Sequence, residues 1–73
     1  MHTIAAELVA NVATVLVSAG DTVGPTDTLV ILESMKMEIP VLAEVPGVIS
    51  EVAVNVGDVI REGDVIAVIE ESR

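Results

Sequence analysis

Seventy-three residues, with twelve acidic side chains against three basic ones, give a net charge of −9, and the chain contains no cysteine and no aromatic residue. That length is enough for one small core and leaves little room for a catalytic cleft, so residues 1–73 are expected to form a single domain. The missing cysteines exclude disulfides, thiolate nucleophiles and zinc-thiolate sites. The acidic balance argues against nucleic acid, whose binding depends on cations replacing counterions around phosphates, and equally against anionic membranes.

The same composition points to an all-β fold. Without aromatic residues the core must be built from Val, Ile, Leu and Ala, and β-branched side chains suit a pleated sheet better than a helix. From the N-terminus, Ile4, Leu8 and Val9 stand among alanines with no helix-capping signal, which predicts a short strand within Met1–Ala10. His2 reads as a solvated end. Asn11 to Ser18 then alternates, with Val15 and Val17 on one face and Leu16 on the other, a period of two. Gly20 to Asp27 is rich in turn residues and is expected to connect strands. Charges or turn residues interrupt every apolar run, and the longest uncharged stretch, Leu8 to Gly20, is too short to span a bilayer. With no basic region before it, neither a membrane span nor a secretory signal is expected. A cytoplasmic protein, monomeric in isolation, is the expectation.

Near the middle of the chain lies its chemically odd stretch, Glu33-Ser34-Met35-Lys36-Met37-Glu38. Leu29 to Leu32 leads up to it and Ile39-Pro40-Val41-Leu42-Ala43 leads away, which outlines two strands joined by a tight reversal. Such reversals normally recruit Gly, Asn, Asp or Pro. Met35-Lys36 supplies none of these, so something other than turn propensity is expected to have selected it. Lys36 is also the only lysine in the chain. A lysine on a loop is ordinarily a solubilising charge, but a chain with a single lysine that places it at a hairpin apex favours a functional role. Met35 and Met37 could fill a core, yet residues flanking a turn lysine cannot all point inward.

Beyond the tip, Pro40 cannot donate a ladder hydrogen bond, so its strand should have an edge or the proline should sit at its start. Val45-Pro46-Gly47 reads as a turn, and the chain then repeats itself. Val15 to Val23 lies over Val52 to Ile60 without a gap, and the register extends to Asp27 on Asp64, Leu29 on Ile66 and Glu33 on Glu70. The repeat covers approximately residues 12–34 and 49–71. Two halves, each too small to bury its own apolar face, should pair about a pseudo-twofold axis. Gly20-Asp21 and Gly57-Asp58 read as turns, with glycine at positive φ and aspartate bonding nearby backbone, rather than as metal ligands. Glu70-Glu71 reads as a solvated run. In the same register Met35-Lys36 falls on Ser72-Arg73, so the second half ends where the first makes its tip.

The stretch Glu33-Ser34-Met35-Lys36-Met37 resembles the Glu-Ala-Met-Lys-Met attachment motif of biotinyl domains, as in biotin carboxyl carrier proteins, and the likeness extends over nearly the whole chain. The resemblance implies a flattened β-barrel of two four-stranded antiparallel sheets with the attachment lysine on a hairpin. It implies that a biotin protein ligase joins biotin to the Lys36 side chain, and that the loaded domain moves between biotin carboxylase and carboxyltransferase without catalysing anything itself. Met35 and Met37 match the flanking methionines, Glu33 a position that ligases read, and Ser34 stands in place of the usual alanine. Glu7-Leu8-Val9-Ala10 occupies the place of a common Pro-Met-Pro-Gly segment, and Thr26 that of a common glycine. Two other readings stand beside this one. A lipoyl domain of a 2-oxoacid dehydrogenase would share the fold, but its lysine usually lies between Asp and Ala. An unmodified interaction module would insert its hairpin into a partner. An enzyme is disfavoured: Schiff-base chemistry needs a desolvated lysine in an apolar pocket, which a hairpin tip between Glu33 and Glu38 does not offer.

Overall fold

The computed structural model describes residues 1–71, so the repeat counterpart of the tip, Ser72-Arg73, lies outside the described residues. Eight strands run in chain order as β1 (His2–Ala5), β2 (Ala10–Val15), β3 (Thr22–Val23), β4 (Thr28–Ser34), β5 (Met37–Leu42), β6 (Gly47–Val52), β7 (Val59–Ile60) and β8 (Val65–Glu71). They form two four-stranded antiparallel sheets, ordered β1-β8-β6-β3 and β5-β4-β2-β7. The two sheets bury a wholly aliphatic core whose most enclosed side chains include Leu29, Val30, Leu32, Ile49, Ile66 and Ile69. Valine and isoleucine at alternate positions make this possible, since successive strand side chains point to opposite faces. No helix of the described residues is long and apolar enough to cross a membrane.

The pseudo-twofold arrangement is visible bond by bond. The Ser18 N–H donates to Asp21 Oδ2 at 2.8 Å, and the Asn55 N–H to Asp58 Oδ2 at 2.8 Å. Gly24 and Asp27 form a second such bond at 2.8 Å, matched by Arg61 and Asp64 at 2.9 Å. Gly20 and Gly57 take positive φ, 97° and 95°, as the Gly-Asp turns require. The halves also exchange bonds: the Gly20 N–H donates to the Ile49 carbonyl and the Gly57 N–H to the Val12 carbonyl, both at 2.8 Å. Each half therefore closes the turns of the other, and neither core face is left open. The equivalence extends to β1 and β5, where the Ala6 N–H donates to the Asp64 carbonyl and the Ala43 N–H to the Asp27 carbonyl.

Four details differ from the sequence reading. The strand expected over Asn11–Ser18 ends at Val15, although Val17 stays half-buried and Leu16 exposed as alternation requires. The connection expected over Gly20–Asp27 contains the two-residue strand β3, too short to leave a periodic signal. Gly47, expected in a turn, opens β6 in a fully buried position, where a Cβ would overlap the Glu70 carbonyl oxygen and stand 2.8 Å from Ile69 Cγ2. Glycine is needed there for close approach of two strands, which sequence cannot separate from a need for positive φ. Finally, His2 is a half-buried strand residue, with Nε2 3.7 Å from Glu44 Oε1 and Nδ1 3.6 Å from Glu71 Oε1.

Candidate functional site

The candidate site is built by the β4–β5 hairpin. Ser34 pairs with Met37, leaving Met35 and Lys36 as a two-residue loop. Both carry positive φ, 51° and 67°. A two-residue hairpin loop with left-handed conformation at both central positions matches the right-handed twist of its strands, which is why Asn-Gly is the usual choice. Non-glycine residues in that region cost about 1 kcal/mol each. The unfavourable turn expected from sequence is therefore the turn observed, at the residues where it was expected.

The hairpin overhangs its sheet. β2 pairs with β4 only as far as Asn11 opposite Glu33, so Ser34, Met35 and Lys36 extend past their neighbour. β5 is an edge strand, which accommodates Pro40. Met35 is 92% exposed and Met37 63%, so neither fills the core. Lys36, Glu33 and Glu38 are exposed and Ser34 is half-buried. The ion-pair contacts recorded among the described residues both belong to His2, and Lys36 takes part in neither.

Registers across the sheet place further groups beside the tip. Glu33 lies directly opposite Glu38 on one side and Asn11 on the other, and Asn11 lies opposite Val59 on β7. All four are exposed, whereas the next rungs, Val12 with Leu32 and Ala10 with Ile60, are buried. The row Glu38-Glu33-Asn11-Val59 therefore shares the outer face. Asn11 and Val59 escaped the sequence reading because their closeness to Lys36 depends on strand pairing between distant segments.

Chemically, the tip presents a primary amine clear of the protein. A groove of about 380 Å³ along β1 and β5 is lined by residues including Leu8, Leu32, Ile39 and Pro40, but not by Lys36. Among the described residues no three His, Asp or Glu side chains gather as metal ligands. An exposed amine on an overhanging loop fits covalent attachment of a group to Nζ and gives Schiff-base chemistry no apolar wall.

Known proteins share this fold and much of this sequence. A biotinylated protein, the TB7.3 homolog of Mycobacterium leprae, is 66% identical over 64 residues, covering 88% of this chain and 90% of that protein. The crystal structure of the Kluyveromyces lactis urea carboxylase contains a similar fold, with TM-score 0.88 and 29% identity over 94% of this chain, which spans 6% of that enzyme. The lipoyl domain of the Azotobacter vinelandii 2-oxoglutarate dehydrogenase complex is also similar, with TM-score 0.78 and 28% identity over 96% of this chain and 99% of that domain. Residues 3–69 match the family model described as biotin-requiring enzyme, and the chain belongs to this biotin/lipoyl attachment family.

Proposed function

We infer that this chain is a biotin carboxyl carrier domain and that Lys36 is its point of attachment. The observation that carries the assignment is the overhanging Met35-Lys36 turn, which holds the only lysine of the chain, exposed, on a backbone that turn propensity alone would not select. With a modifying enzyme taking its proton, Lys36 Nζ attacks the acyl carbon of biotinyl-adenylate. The amide bond forms and AMP leaves. Biotin, when bound, supplies a ureido nitrogen that takes up and gives back a carboxyl group. The chain itself contributes position and tethering, which raise the effective concentration of the carried group at successive enzymes.

The neighbouring residues have distinct roles in this reading. Glu33 presents a carboxylate to the biotin protein ligase, Met35 and Met37 offer apolar contact on either side of the amine, and Ser34 lets the strand close against Met37. Biotin carboxylase and carboxyltransferase are the partners that would use the loaded domain. Residues 1–73 act as one attachment unit, monomeric and cytoplasmic. The likeness to a lipoyl domain supports a second reading, with lipoate on Lys36. The methionines flanking Lys36 favour biotin, because lipoyl lysines usually stand between Asp and Ala.

Intact mass after co-expression with a biotin protein ligase and biotin, followed by peptide mapping, tests the assignment. One biotinyl group on Lys36 is expected. An unmodified lysine, with the ligase active on a control domain, would overturn it, and a lipoyl adduct formed by a lipoate ligase would put the second reading in its place.

A further inference from the structure

Sulfur is placed selectively in this chain. There is no cysteine, and the three thioethers are Met1, Met35 and Met37, so two of the three stand immediately on either side of Lys36. The apolar packing is done without them, since the buried core consists of Val, Ile, Leu and Ala. Met35 is the most exposed large apolar side chain among the described residues, and Met37 is well exposed too. Methionine ordinarily fills irregular gaps in a core. At the tip, leucine would give an apolar contact of similar size without sulfur, and the exposed Leu16 and Leu42 show that this surface tolerates leucine.

Exposure decides which thioethers an oxidant reaches. Hydrogen peroxide is uncharged, so the net charge of −9 does not hold it away from the tip. The thioether sulfur attacks one peroxide oxygen. An S–O bond forms as the O–O bond breaks, the sulfur loses two electrons, and the departing oxygen takes up the proton and leaves as water. The sulfoxide is polar and chiral where the thioether was apolar. Because neither side chain packs in the core, the fold loses no buried contact, and what changes is the surface offered around Nζ. Methionine sulfoxide reductases, one for each epimer, reverse the step, with a dithiol oxidised to a disulfide and the oxygen leaving as water.

We propose that Met35 and Met37 are a hydroperoxide-sensitive modification site, at which oxidation to the sulfoxides slows acylation of Lys36 while the chain stays folded, and reduction restores it. The effect on acylation rests on the biotin-carrier reading. An enzyme that bonds to Nζ must close over the turn, and the residues on either side of Lys36 then lie inside its footprint. A sulfoxide oxygen in that contact is stripped of water without a partner built for it, so a roughly tenfold lower kcat/KM, mostly through KM, is expected after full oxidation. Loading of the carrier then falls as peroxide rises, and recovers when the thioethers are regenerated.

The test treats the reduced wild-type chain with hydrogen peroxide, removes the peroxide with catalase, and reads the products by intact mass and peptide mapping before any ligase is added. One added oxygen at each of Met35 and Met37 is expected, with Met35 reacting first as the more exposed. Initial rates of biotinylation against carrier concentration should then fall, with an unchanged urea midpoint, and should return after treatment with the two reductases. Met35→Leu together with Met37→Leu leaves Met1 as the one thioether. Whatever the rate of that variant, it should be the same before and after peroxide. Undiminished biotinylation of the doubly oxidised chain would overturn the proposal. So would tip thioethers that stay reduced while Met1 is oxidised, an equal slowing of the leucine variant by peroxide, or a lowered urea midpoint. If the reduced wild-type chain is not biotinylated at all, the carrier reading fails first and the effect on acylation with it, a result distinguishable because the oxidation is mapped without the ligase.

Discussion

The Gly57-Asp58 turn and the Met35-Lys36 turn reverse the chain with opposite resources. At the first, positive φ falls on a glycine and the Asp58 carboxylate accepts the Asn55 N–H, so backbone and side chain both favour the turn. At the second, positive φ falls on Met35 and Lys36, and among the described residues no side-chain hydrogen bond is recorded closing the loop. The first is explained by what the fold requires. The second is not explained by the hairpin, because a different residue pair would make the same turn with less strain, and under the proposed carrier role the exposed amine supplies the reason. Turn chemistry thus separates a position that serves the fold from one whose residues the fold does not call for.

The largest expected effects break the comparison from each side. Lys36→Arg keeps the charge and the length but removes the acylable amine, so it should abolish modification, read as the absence of any biotinyl mass gain. Because the Lys36 side chain is exposed, the denaturant midpoint should stay at the wild-type value. Gly47→Ala should do the reverse. A methyl group at that position overlaps the Glu70 carbonyl of the paired strand, so a destabilisation of about 3 kcal/mol is expected in urea unfolding. The fraction still folded should be modified normally.

Next in size are the aspartate turns. Asp58→Ala and Asp21→Ala each remove one carboxylate acceptor from a backbone N–H, and each should lower stability by about 1 kcal/mol, comparably in the two halves. Lys36→Ala removes no such bond, so its unfolding midpoint should lie close to that of wild type. A loss at Lys36 as large as that at Asp58 would show that the lysine side chain stabilises its own turn and would remove the contrast.

Much of this was legible in the chain because the signals were local or repeated. The alternation of Val15, Leu16 and Val17 gave a face, and the Gly-Asp dipeptides gave turns whose glycine φ and aspartate bonds are as expected. Met35-Lys36 stood out through its poor fit to a hairpin. What could not be read depends on contacts between distant segments. β3 and β7 have two residues each and exist only because β6 and β2 offer them partners. Gly47 is fixed by a strand more than twenty residues away, and His2 by Glu44 and Glu71. The like-charged rung of Glu33 and Glu38 could be inferred from the hairpin, whereas its continuation through Asn11 to Val59 could not.

The smallest effect sharpens the comparison most. Met35→Asn places at the first turn position a residue that tolerates left-handed backbone, without touching Lys36. If the strain at Met35 is a feature of function, the variant should be more stable than wild type, by about 0.5 to 1 kcal/mol in urea unfolding. It should also be a poorer substrate for modification, because an exposed thioether that an enzyme could grip has been replaced by an amide. The two measurements must move in opposite directions for the turn to be a compromise between folding and recognition. A variant both more stable and equally well modified would mean that Met35 contributes only its awkward backbone, and that recognition of the tip belongs to Lys36, Met37 and the row of side chains behind them.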